Sequence, residues 1–191
     1  ESFTPDTNTL LGEVPEVKNF FVCCGLNSIG IGSGGGVGKV TAEWMMTGHI
    51  NEDIFSYDIK RFQKFHSELG FIKKRITESL GDLYGMHWPF KQHKTSRNIK
   101  TLPYHENLKS FGACFGVSGG YERPMWFALD GEKAKYEYSY NYQNWYPSVE
   151  YETNNTVKNV GLFDLTPFSK FEIISDKAHA VSYTHLRAHE T

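Results

Sequence analysis

The chain is poor in cysteine, carries little net charge and contains no long apolar run. Only three of its 191 residues are cysteine, and their spacing fits neither a disulfide framework nor a zinc site. The formal net charge of −2 at pH 7 argues against nucleic acid or an anionic membrane surface as a partner. No stretch approaches the roughly 20 apolar residues that a membrane-spanning helix needs. A globular chain is predicted, because 39% hydrophobic residues can form a core.

The side chains that most often bind metals also lack a suitable pattern. Cys23 and Cys24 are neighbours inside an apolar run, and Cys114 stands alone. We expect all three to be small buried residues of a protein in a reducing compartment. His87 and His93 have no third partner at metal-ligand spacing, so we interpret them as ordinary surface or packing residues. No metal site is predicted.

The most informative stretch of the sequence is residues 19–44. An apolar run before Gly25 predicts a strand that is buried on both faces. Residues 30–38 contain six glycines and predict a loop, and residues 39–47 predict a helix that ends at Gly48. A strand, a glycine loop and a helix in this order direct backbone N–H groups and a helix N-terminus at an anionic ligand.

Four interpretations of the glycine run compete. A P-loop is suggested by Gly38 and Lys39, but Ser33 and Val40 occupy the positions that need glycine and a hydroxyl residue, so it is rejected. A dinucleotide fingerprint is weakly supported, because a run this rich in glycine fits almost any glycine pattern. In the third interpretation, the stretch is the closing strand, loop and helix of a flavin-binding domain. Close helix–strand packing without a ligand is the fourth.

Short motifs spread over nearly all of residues 1–175 carry a resemblance to known proteins. They are Thr4-Pro5-Asp6, Gly25-Leu26-Asn27-Ser28-Ile29-Gly30, Gly34-Gly35-Gly36-Val37-Gly38-Lys39, Ala42-Glu43-Trp44-Met45, Tyr57-Asp58-Ile59-Lys60-Arg61-Phe62 and Gly120-Tyr121-Glu122-Arg123-Pro124-Met125-Trp126-Phe127. In combination they resemble the sarcosine and dimethylglycine dehydrogenase family. From Thr101 onward the chain also resembles the start of the aminomethyltransferase fold of the glycine-cleavage T-protein.

The resemblance implies an α/β fold followed by an α+β fold. Residues 1–57 would be the C-terminal part of a FAD-binding oxidoreductase domain, residues 58–100 a helical connector or central domain, and residues 101–180 the N-terminal part of an aminomethyltransferase-like domain. Residues 181–191 resemble the translation of a sequencing adapter, so we interpret them as an artefact. Because the first residue is not methionine either, the chain is expected to be an internal fragment.

The same resemblance implies a flavoenzyme that oxidatively demethylates sarcosine or dimethylglycine. FAD would receive the hydride from the N-methyl group, and the one-carbon unit would pass to tetrahydrofolate. The expected partners are a small N-methylated amino acid and an unidentified electron acceptor, in the bacterial cytoplasm or the mitochondrial matrix. No residue is assigned a catalytic role, and the fragment alone is expected to be inactive. The residues expected to contact FAD are Gly25, Leu26, Asn27, Ser28, Ile29, Gly30 and Ile31.

Two further functions stay open at this stage. A non-catalytic regulatory subunit, resembling that of pyruvate dehydrogenase phosphatase, would share the scaffold and many of the motifs. An aminomethyltransferase fused to an inert domain is the other possibility. An intact flavin site would favour the enzyme, and an eroded one would favour the regulatory subunit.

Hydrophobic spacing predicts the remaining elements. Asp58 is expected to cap a helix from Ile59. A helical stripe is predicted from Leu69, Ile72, Ile76, Leu80 and Leu83, with Lys73, Lys74 and Arg75 on a solvated face. A strand with one aromatic face is predicted from Tyr136, Tyr138, Tyr140 and Tyr142. We favour packing as the role of these rings over a stacking platform for a pterin. A helix over residues 150–159 and strands over residues 160–165 and 170–174 complete the prediction.

Overall fold

The computed structural model describes residues 2–50, 52–88 and 91–182. Their regular structure consists of two antiparallel hairpins, five α-helices and two short 3₁₀ helices, Ile59–Arg61 and Lys64–Ser67. The chain divides into two units, Glu1–Val160 and Gly161–Thr191, and each is described by itself. The first unit contains strands β1 (Leu10–Glu13), β2 (Phe21–Cys24), β3 (Ala113–Ser118) and β4 (Tyr121–Phe127), and helices α1 (Gly30–Thr47), α2 (Leu69–Gly81), α3 (His105–Ser110) and α4 (Tyr146–Lys158). The second unit contains α5 (Ala178–Ser182). Within the described residues, no helix combines the length and apolar character needed to cross a membrane.

Helix α1 packs against the hairpin of β1 and β2. Leu11 lies opposite Cys23 in the antiparallel ladder and is 2% exposed. The buried ring of Trp44 lies edge-on to Phe21, with 6.0 Å between the ring centroids. The same ring covers Gly12 so closely that a Cβ there would come within 2.3 Å of it. The missing side chain of Gly12 therefore leaves room for the Trp44 ring to pack on the sheet. The φ of +107° at Gly12 also requires glycine.

The glycine run is helical, so the predicted loop over residues 30–38 was wrong. Helix α1 begins at Gly30, and Ser33 donates its N–H to the Ile29 carbonyl at 3.0 Å. Each glycine costs about 1 kcal/mol relative to alanine in a helix. The C-terminal half of α1, which contains Trp44, packs against the hairpin and offsets this cost, because tertiary contacts supply most helical stability. Gly48 ends the helix in the left-handed conformation at φ +75°, as predicted.

Strand β2 forms where it was predicted, but the prediction that both of its faces are buried was wrong. Among the described strands it pairs only with β1. Cys23 and Cys24 are exposed free thiols, whereas Cys114 is a buried one, so the expected burial holds for Cys114 alone. A strand with one paired edge and one covering helix keeps part of its surface in water.

Helix α2 forms at its predicted place and buries a different face. The buried positions recur every four residues and are Phe71, Arg75 and Ser79. Leu69 and Leu80 of the predicted stripe are instead exposed. Arg75 was expected in solvent, yet it is 6% exposed and donates from Nη2 to the carbonyl oxygens of Thr95 and Ser96 at 2.7 and 3.2 Å. These acceptors make burial of the guanidinium group tolerable.

A buried ion pair fastens the hairpin of β3 and β4 to the segment that precedes α3. Arg97 donates from Nε and Nη2 to the two carboxylate oxygens of Glu122 at 2.6 and 2.5 Å, and Glu122 is 2% exposed. The Asn98 N–H also donates to Glu122 at 2.8 Å. Arg97 donates further to the carbonyl oxygens of Phe115 and His93, each at 3.0 Å. One arginine thus connects both strands to the preceding loop.

The tyrosine-rich segment over residues 136–142 is a loop, so the predicted strand was wrong. Amide side chains take over the backbone hydrogen bonds that a neighbouring strand would have made. The Glu137 N–H donates to Asn144 Oδ1 and the Ser139 N–H to Gln143 Oε1, both at 3.0 Å. Such local acceptors compete with ladder formation.

The last part of the chain matches the predictions only in its helix. Helix α4 begins at Tyr146, four residues before the predicted start, and Pro147 in its first turn has a fixed φ that suits a helix start. The strands predicted at residues 160–165 and 170–174 are absent from the described structure. Leu162 is fully exposed, and no described residue of the second unit offers a partner strand. Most of the tail interpreted as an artefact, residues 183–191, lies outside the described residues.

Two glycine-to-alanine variants should have opposite effects. Gly12→Ala must displace the Trp44 ring and adopt an unfavourable φ, so we expect it to lower the free energy of unfolding by about 2–3 kcal/mol. A Cβ at Gly34 would meet nothing within 4 Å, so Gly34→Ala should raise it by about 0.5–1 kcal/mol. Urea unfolding of both variants tests this, and equal shifts would contradict the placement of Trp44.

Acid should destabilise the chain through Glu122. Burial alone raises the pKa of Glu122, but hydrogen bonds from Arg97 and Asn98 hold that pKa below its ordinary value of 4.5. A folded pKa below the unfolded one gives stability that is present above pH 4.5 and is lost as the pH falls through the folded pKa. Glu122→Gln should remove this pH dependence and lower the free energy of unfolding at pH 7 by about 3–5 kcal/mol.

Glu106 provides the matched control for that experiment. It forms a loose 3.7 Å pair with Lys109 on the surface, and its side chain is 79% exposed. Glu106→Gln should change stability by no more than about 0.5 kcal/mol at pH 7. Urea unfolding at a series of pH values measures both variants, and a Glu122→Gln curve that matches the Glu106→Gln curve would refute the role of the buried pair.

Candidate flavin site at the start of helix α1

The seven residues predicted to contact FAD form the turn between β2 and the first residues of α1. Gly25, Asn27 and Ser28 have left-handed φ values of +64°, +48° and +67°. This unusual backbone bends the chain sharply into the helix. Burial then divides the residues into three groups: Gly25 and Asn27 are buried, Leu26 and Gly30 are half-buried, and Ser28, Ile29 and Ile31 are exposed.

Asn27 holds the turn in place with its whole side chain. Its Oδ1 accepts hydrogen bonds from the N–H and the hydroxyl of Thr4 at 2.9 and 3.3 Å. Its Nδ2 donates to the Gly25 carbonyl at 2.6 Å, and its backbone N–H donates to the Ser2 carbonyl at 3.2 Å. Asn27 is 3% exposed. It therefore shapes the turn from behind, and its amide group is already occupied within the chain.

The backbone N–H groups of the helix start are the donors that this turn presents. The N–H groups of Asn27 and Ile29 are bonded to the carbonyl oxygens of Ser2 and Leu26. The first N–H groups of an α-helix, here those of Gly30 to residue 32, have no acceptor within the helix. They also carry the partial positive charge of the helix N-terminus. Of the seven residues expected to contact FAD, only Gly30 and Ile31 belong to this first turn of α1.

Glycines alternate with the side chains of Ile31 and Ser33 at the start of α1, beside these donors. A Cβ added at Gly32, Gly34 or Gly35 would meet no atom within 4 Å. A planar ring can therefore approach the helix backbone closely, and an electron-rich ring edge would face hydrogen-bond donors. The residues present at this site fit the oxygen- and nitrogen-bearing edge of a flavin.

A second arginine fixes the segment that supports Asn27. Arg61 donates from Nε and Nη2 to the two carboxylate oxygens of Asp6 at 2.7 and 3.1 Å. It also donates to the carbonyl oxygens of Asn8 and Tyr57 at 2.9 and 2.8 Å. Asp6 and Arg61 belong to two motifs that the sequence analysis recorded separately. Their opposite charges were a signal for this pairing that the sequence analysis missed.

The described residues show no metal centre. No group of three or more His, Cys, Asp or Glu residues within them could hold a metal ion.

Asp58 accepts the N–H of Lys60 at 2.8 Å and caps a single 3₁₀ turn, Ile59–Arg61, as its predicted capping role requires. We assign no catalytic role to any residue of this chain.

Two successive parts of the chain match known protein families. Residues 47–101 match the family model described as FAD dependent oxidoreductase central domain, and residues 104–184 match the one described as GCVT N-terminal domain. The chain is 43% identical over 178 residues to 4-methylaminobutanoate oxidase (formaldehyde-forming) of Paenarthrobacter nicotinovorans, which covers 93% of this chain and 22% of that protein.

Two mitochondrial proteins of Mus musculus are also similar. The pyruvate dehydrogenase phosphatase regulatory subunit is 34% identical over 183 residues, covering 92% of this chain and 20% of that protein. Sarcosine dehydrogenase is 38% identical over 141 residues, covering 73% of this chain and 15% of that protein. The chain therefore spans between 15% and 22% of the length of these three relatives. With its two domain matches in succession, the chain belongs to the sarcosine and dimethylglycine dehydrogenase family of FAD-dependent oxidoreductases.

Proposed function

We propose that this chain is part of a flavin-dependent enzyme that oxidatively demethylates a small N-methylated amino acid, sarcosine or dimethylglycine. The observation that carries the proposal is the glycine-rich start of α1, preceded by a turn that Asn27 holds in place, in a chain of this family. Bound FAD would supply the redox chemistry. The chain would contribute the turn from Gly25 to Ile31, and the substrate-oxidising groups would belong to the rest of the protein.

The first turn of α1 would bind and tune the cofactor electrostatically. Negative charge on a reduced flavin is stabilised by backbone N–H groups and by a helix N-terminus. Arg61 forms an ion pair with Asp6, and Thr4 near it donates a hydrogen bond to Asn27. Asn27 in turn donates to the Gly25 carbonyl and so fixes the turn. This series of contacts keeps the donors in one position before the cofactor arrives, which reduces the cost of binding.

The remaining parts of the proposal concern the one-carbon unit and the surroundings of the enzyme. We propose tetrahydrofolate as the acceptor of the one-carbon unit, supported by the match of residues 104–184 to the GCVT N-terminal domain. The domain division at about residues 57 and 100 belongs to the same proposal. The enzyme would work in the bacterial cytoplasm or the mitochondrial matrix and pass electrons to a further acceptor.

A regulatory subunit without redox activity is the second candidate. It is supported by 34% identity to the regulatory subunit of pyruvate dehydrogenase phosphatase over 92% of this chain. The oxidase relative is more similar over the same region, at 43% identity, which favours the enzyme. Flavin binding and reduction separate the two candidates.

Substrate reduction of the bound flavin is the direct test of activity. In the protein that contains this chain, we expect anaerobic addition of sarcosine or dimethylglycine to bleach the flavin absorbance band. Succinate, which lacks a nitrogen, serves as the control and should leave the band unchanged. Bound flavin that neither amine reduces would argue against the dehydrogenase, and absence of any flavin would favour the regulatory subunit.

A single charge placed at the start of α1 tests the flavin site itself. Ile31 is fully exposed, so Ile31→Glu should leave the fold intact, and a carboxylate in the first turn even suits the helix. It would repel the electron-rich edge of the flavin, so we expect FAD binding to weaken about tenfold. Flavin fluorescence during titration of the apoprotein measures the affinity.

Met46 offers the matched control at the other end of the same helix. It is also exposed, and Met46→Glu adds the same charge far from the first turn. Its FAD affinity should stay within about twofold of the unmodified protein, because exposed charges beyond the Debye length are largely screened. Equal FAD affinities of the two variants would contradict the placement of the flavin at the start of α1.

A further inference from the structure

A cavity within the unit Glu1–Val160 is lined by residues of the N-terminal segment 3–16, of the two 3₁₀ helices and of helix α2. Its volume is about 680 Å³. Volumes of about 300–1,000 Å³ are typical of small-molecule sites in proteins. We call it the His66 cavity after one of its lining residues. Neither the family comparisons nor the flavin proposal gives it a role.

Most of the lining is apolar. The apolar side chains are half-buried, so part of their surface stays accessible from the cavity, and they include Phe3, Leu10, Ile59, Phe62, Ile72 and Ile76. Ile72 and Ile76 lie one turn apart on α2 and belong to the apolar stripe that the sequence predicted. An apolar ligand would cover this surface and remove it from water, which is favourable.

The charges of the lining are balanced in sign. Lys64 and Glu16 are both exposed, and the described residues that line the cavity include no other lysine, arginine, aspartate or glutamate. Arg61 lies against the lining ring of Phe62, at 4.4 Å from its centroid, but Asp6 pairs with that guanidinium group. Attraction of an ionic ligand by one lining charge is therefore opposed by repulsion from the other, and the lining favours a neutral ligand.

Three polar side chains of the lining are engaged in hydrogen bonds within the chain. The Thr4 hydroxyl donates to the Asn8 carbonyl at 2.9 Å, and the Ser67 hydroxyl donates to the Lys64 carbonyl at 2.7 Å. The Gln63 amide donates from Nε2 to the Gly119 carbonyl at 3.0 Å and accepts at Oε1 from the ammonium group of Lys100 at 2.6 Å. These groups shape the cavity and are less available to a ligand.

His66 differs from them because one of its ring nitrogens is left over. Its Nδ1 accepts the Gln63 N–H at 2.9 Å, so the proton of the neutral ring is on Nε2. Nε2 has no hydrogen-bond partner among the described residues. Burial, reinforced by the charges of Arg75 and Arg61, holds the pKa of His66 below its ordinary value of 6.5. At pH 7 the ring is thus neutral and Nε2–H is a donor.

Aromatic neighbours fix the orientation of this ring. Phe65 stacks on His66 with 3.9 Å between the centroids and an interplanar angle of 28°. Phe71, which is buried in α2, lies edge-on to it at 5.1 Å. Together with the hydrogen bond at Nδ1, these contacts hold the Nε2–H donor in one direction before any ligand arrives, which reduces the cost of binding.

We propose that the His66 cavity binds a small, neutral, apolar molecule that carries one hydrogen-bond acceptor, such as an aliphatic ketone. The apolar side chains contact the hydrocarbon part, and His66 Nε2 donates to the oxygen. A largely apolar cavity with a few placed polar groups is the usual design of a small-molecule site, in which those groups orient the ligand. The site is separate from the proposed flavin contacts.

Three probes with the same rigid bicyclic skeleton test the preference for a neutral acceptor in the 191-residue chain. Camphor is a neutral ketone, camphorsulfonate adds a negative charge, and bornylammonium carries a positive charge in place of the ketone. We expect camphor to bind about tenfold more tightly than either charged probe, because the lining compensates neither charge. Backbone amide shifts in ¹⁵N NMR titrations at pH 7 should map to residues 3–5, 59–67 and 72–76.

Each other outcome contradicts a stated part of the proposal. Equal affinity for camphor and camphorsulfonate would contradict the preference for a neutral ligand, and equal affinity for camphor and bornylammonium would contradict the need for an acceptor. Shifts that map elsewhere, or no saturable shifts with camphor, would overturn the site itself. Because no flavin is present in these titrations, the result does not depend on the proposed enzymatic function.

Replacement of His66 tests the donor. His66→Phe keeps a ring that can stack on Phe65 and removes Nε2–H, so we expect camphor affinity to fall about fivefold, the effect of one hydrogen bond. His49→Phe is the matched control, since His49 is exposed and does not line the cavity, and it should retain the affinity within about twofold. Equal affinities of the two variants would show that His66 does not donate to the ligand.

A second pair of variants tests the apolar wall without changing His66. Ile76→Gln places a polar group in the wall and should lower camphor affinity about tenfold. Leu80→Gln makes the same kind of change one turn further along α2, at an exposed position outside the lining, and should have less than a twofold effect. Far-ultraviolet circular dichroism checks that each variant folds. Equal losses in this pair would overturn the assignment of the ligand to the cavity.

Discussion

The buried pair of Arg97 and Glu122 is the interaction on which the second half of the first unit depends. An isolated carboxylate with 2% exposure would be costly, since burial of an unpaired charge is strongly unfavourable. Glu122 is tolerated because Arg97 and the Asn98 N–H provide three hydrogen bonds to its two oxygens. The geometry of the loop before α3 is thereby fixed relative to β3 and β4.

Arginine plays the same part in two other places. Arg61 ties the Thr4–Asp6 motif to the segment after Tyr57, and Arg75 ties α2 to the carbonyl oxygens of Thr95 and Ser96. Each guanidinium group joins segments that are separated by about 20 to 55 residues in sequence. A planar group with five N–H donors can satisfy several acceptors at once, which lysine cannot. Loops without regular structure are held in defined positions in this way.

The flavin proposal depends on backbone groups rather than on charged side chains. At α1 the donors are backbone N–H groups, and a Cβ at Gly32 beside them would meet no other atom within 4 Å. A buried side chain, Asn27, supports the preceding turn from behind.

The sequence by itself determined the family, the strand before Gly25, the end of α1 at Gly48 and the places of α2 and α4. These follow from local chemistry: apolar spacing, a left-handed glycine and a proline near a helix start. It did not determine that Gly30 to Gly38 are helical, because intrinsic propensity opposes a helix there and the packing of Trp44 on Gly12 overrides it.

Only the tertiary structure decided the other outcomes. Arg75 is buried since its acceptors lie about 20 residues further on, which no helical stripe can reveal. The alternating tyrosines after Tyr136 form a loop because Gln143 and Asn144 satisfy the backbone that a strand would have paired. In the turn before α1, only the contacts with Thr4 and Ser2 showed that Asn27 is buried and supports the turn from within. Partners distant in sequence carry no periodic signal, so their effects become visible only once the chain is folded.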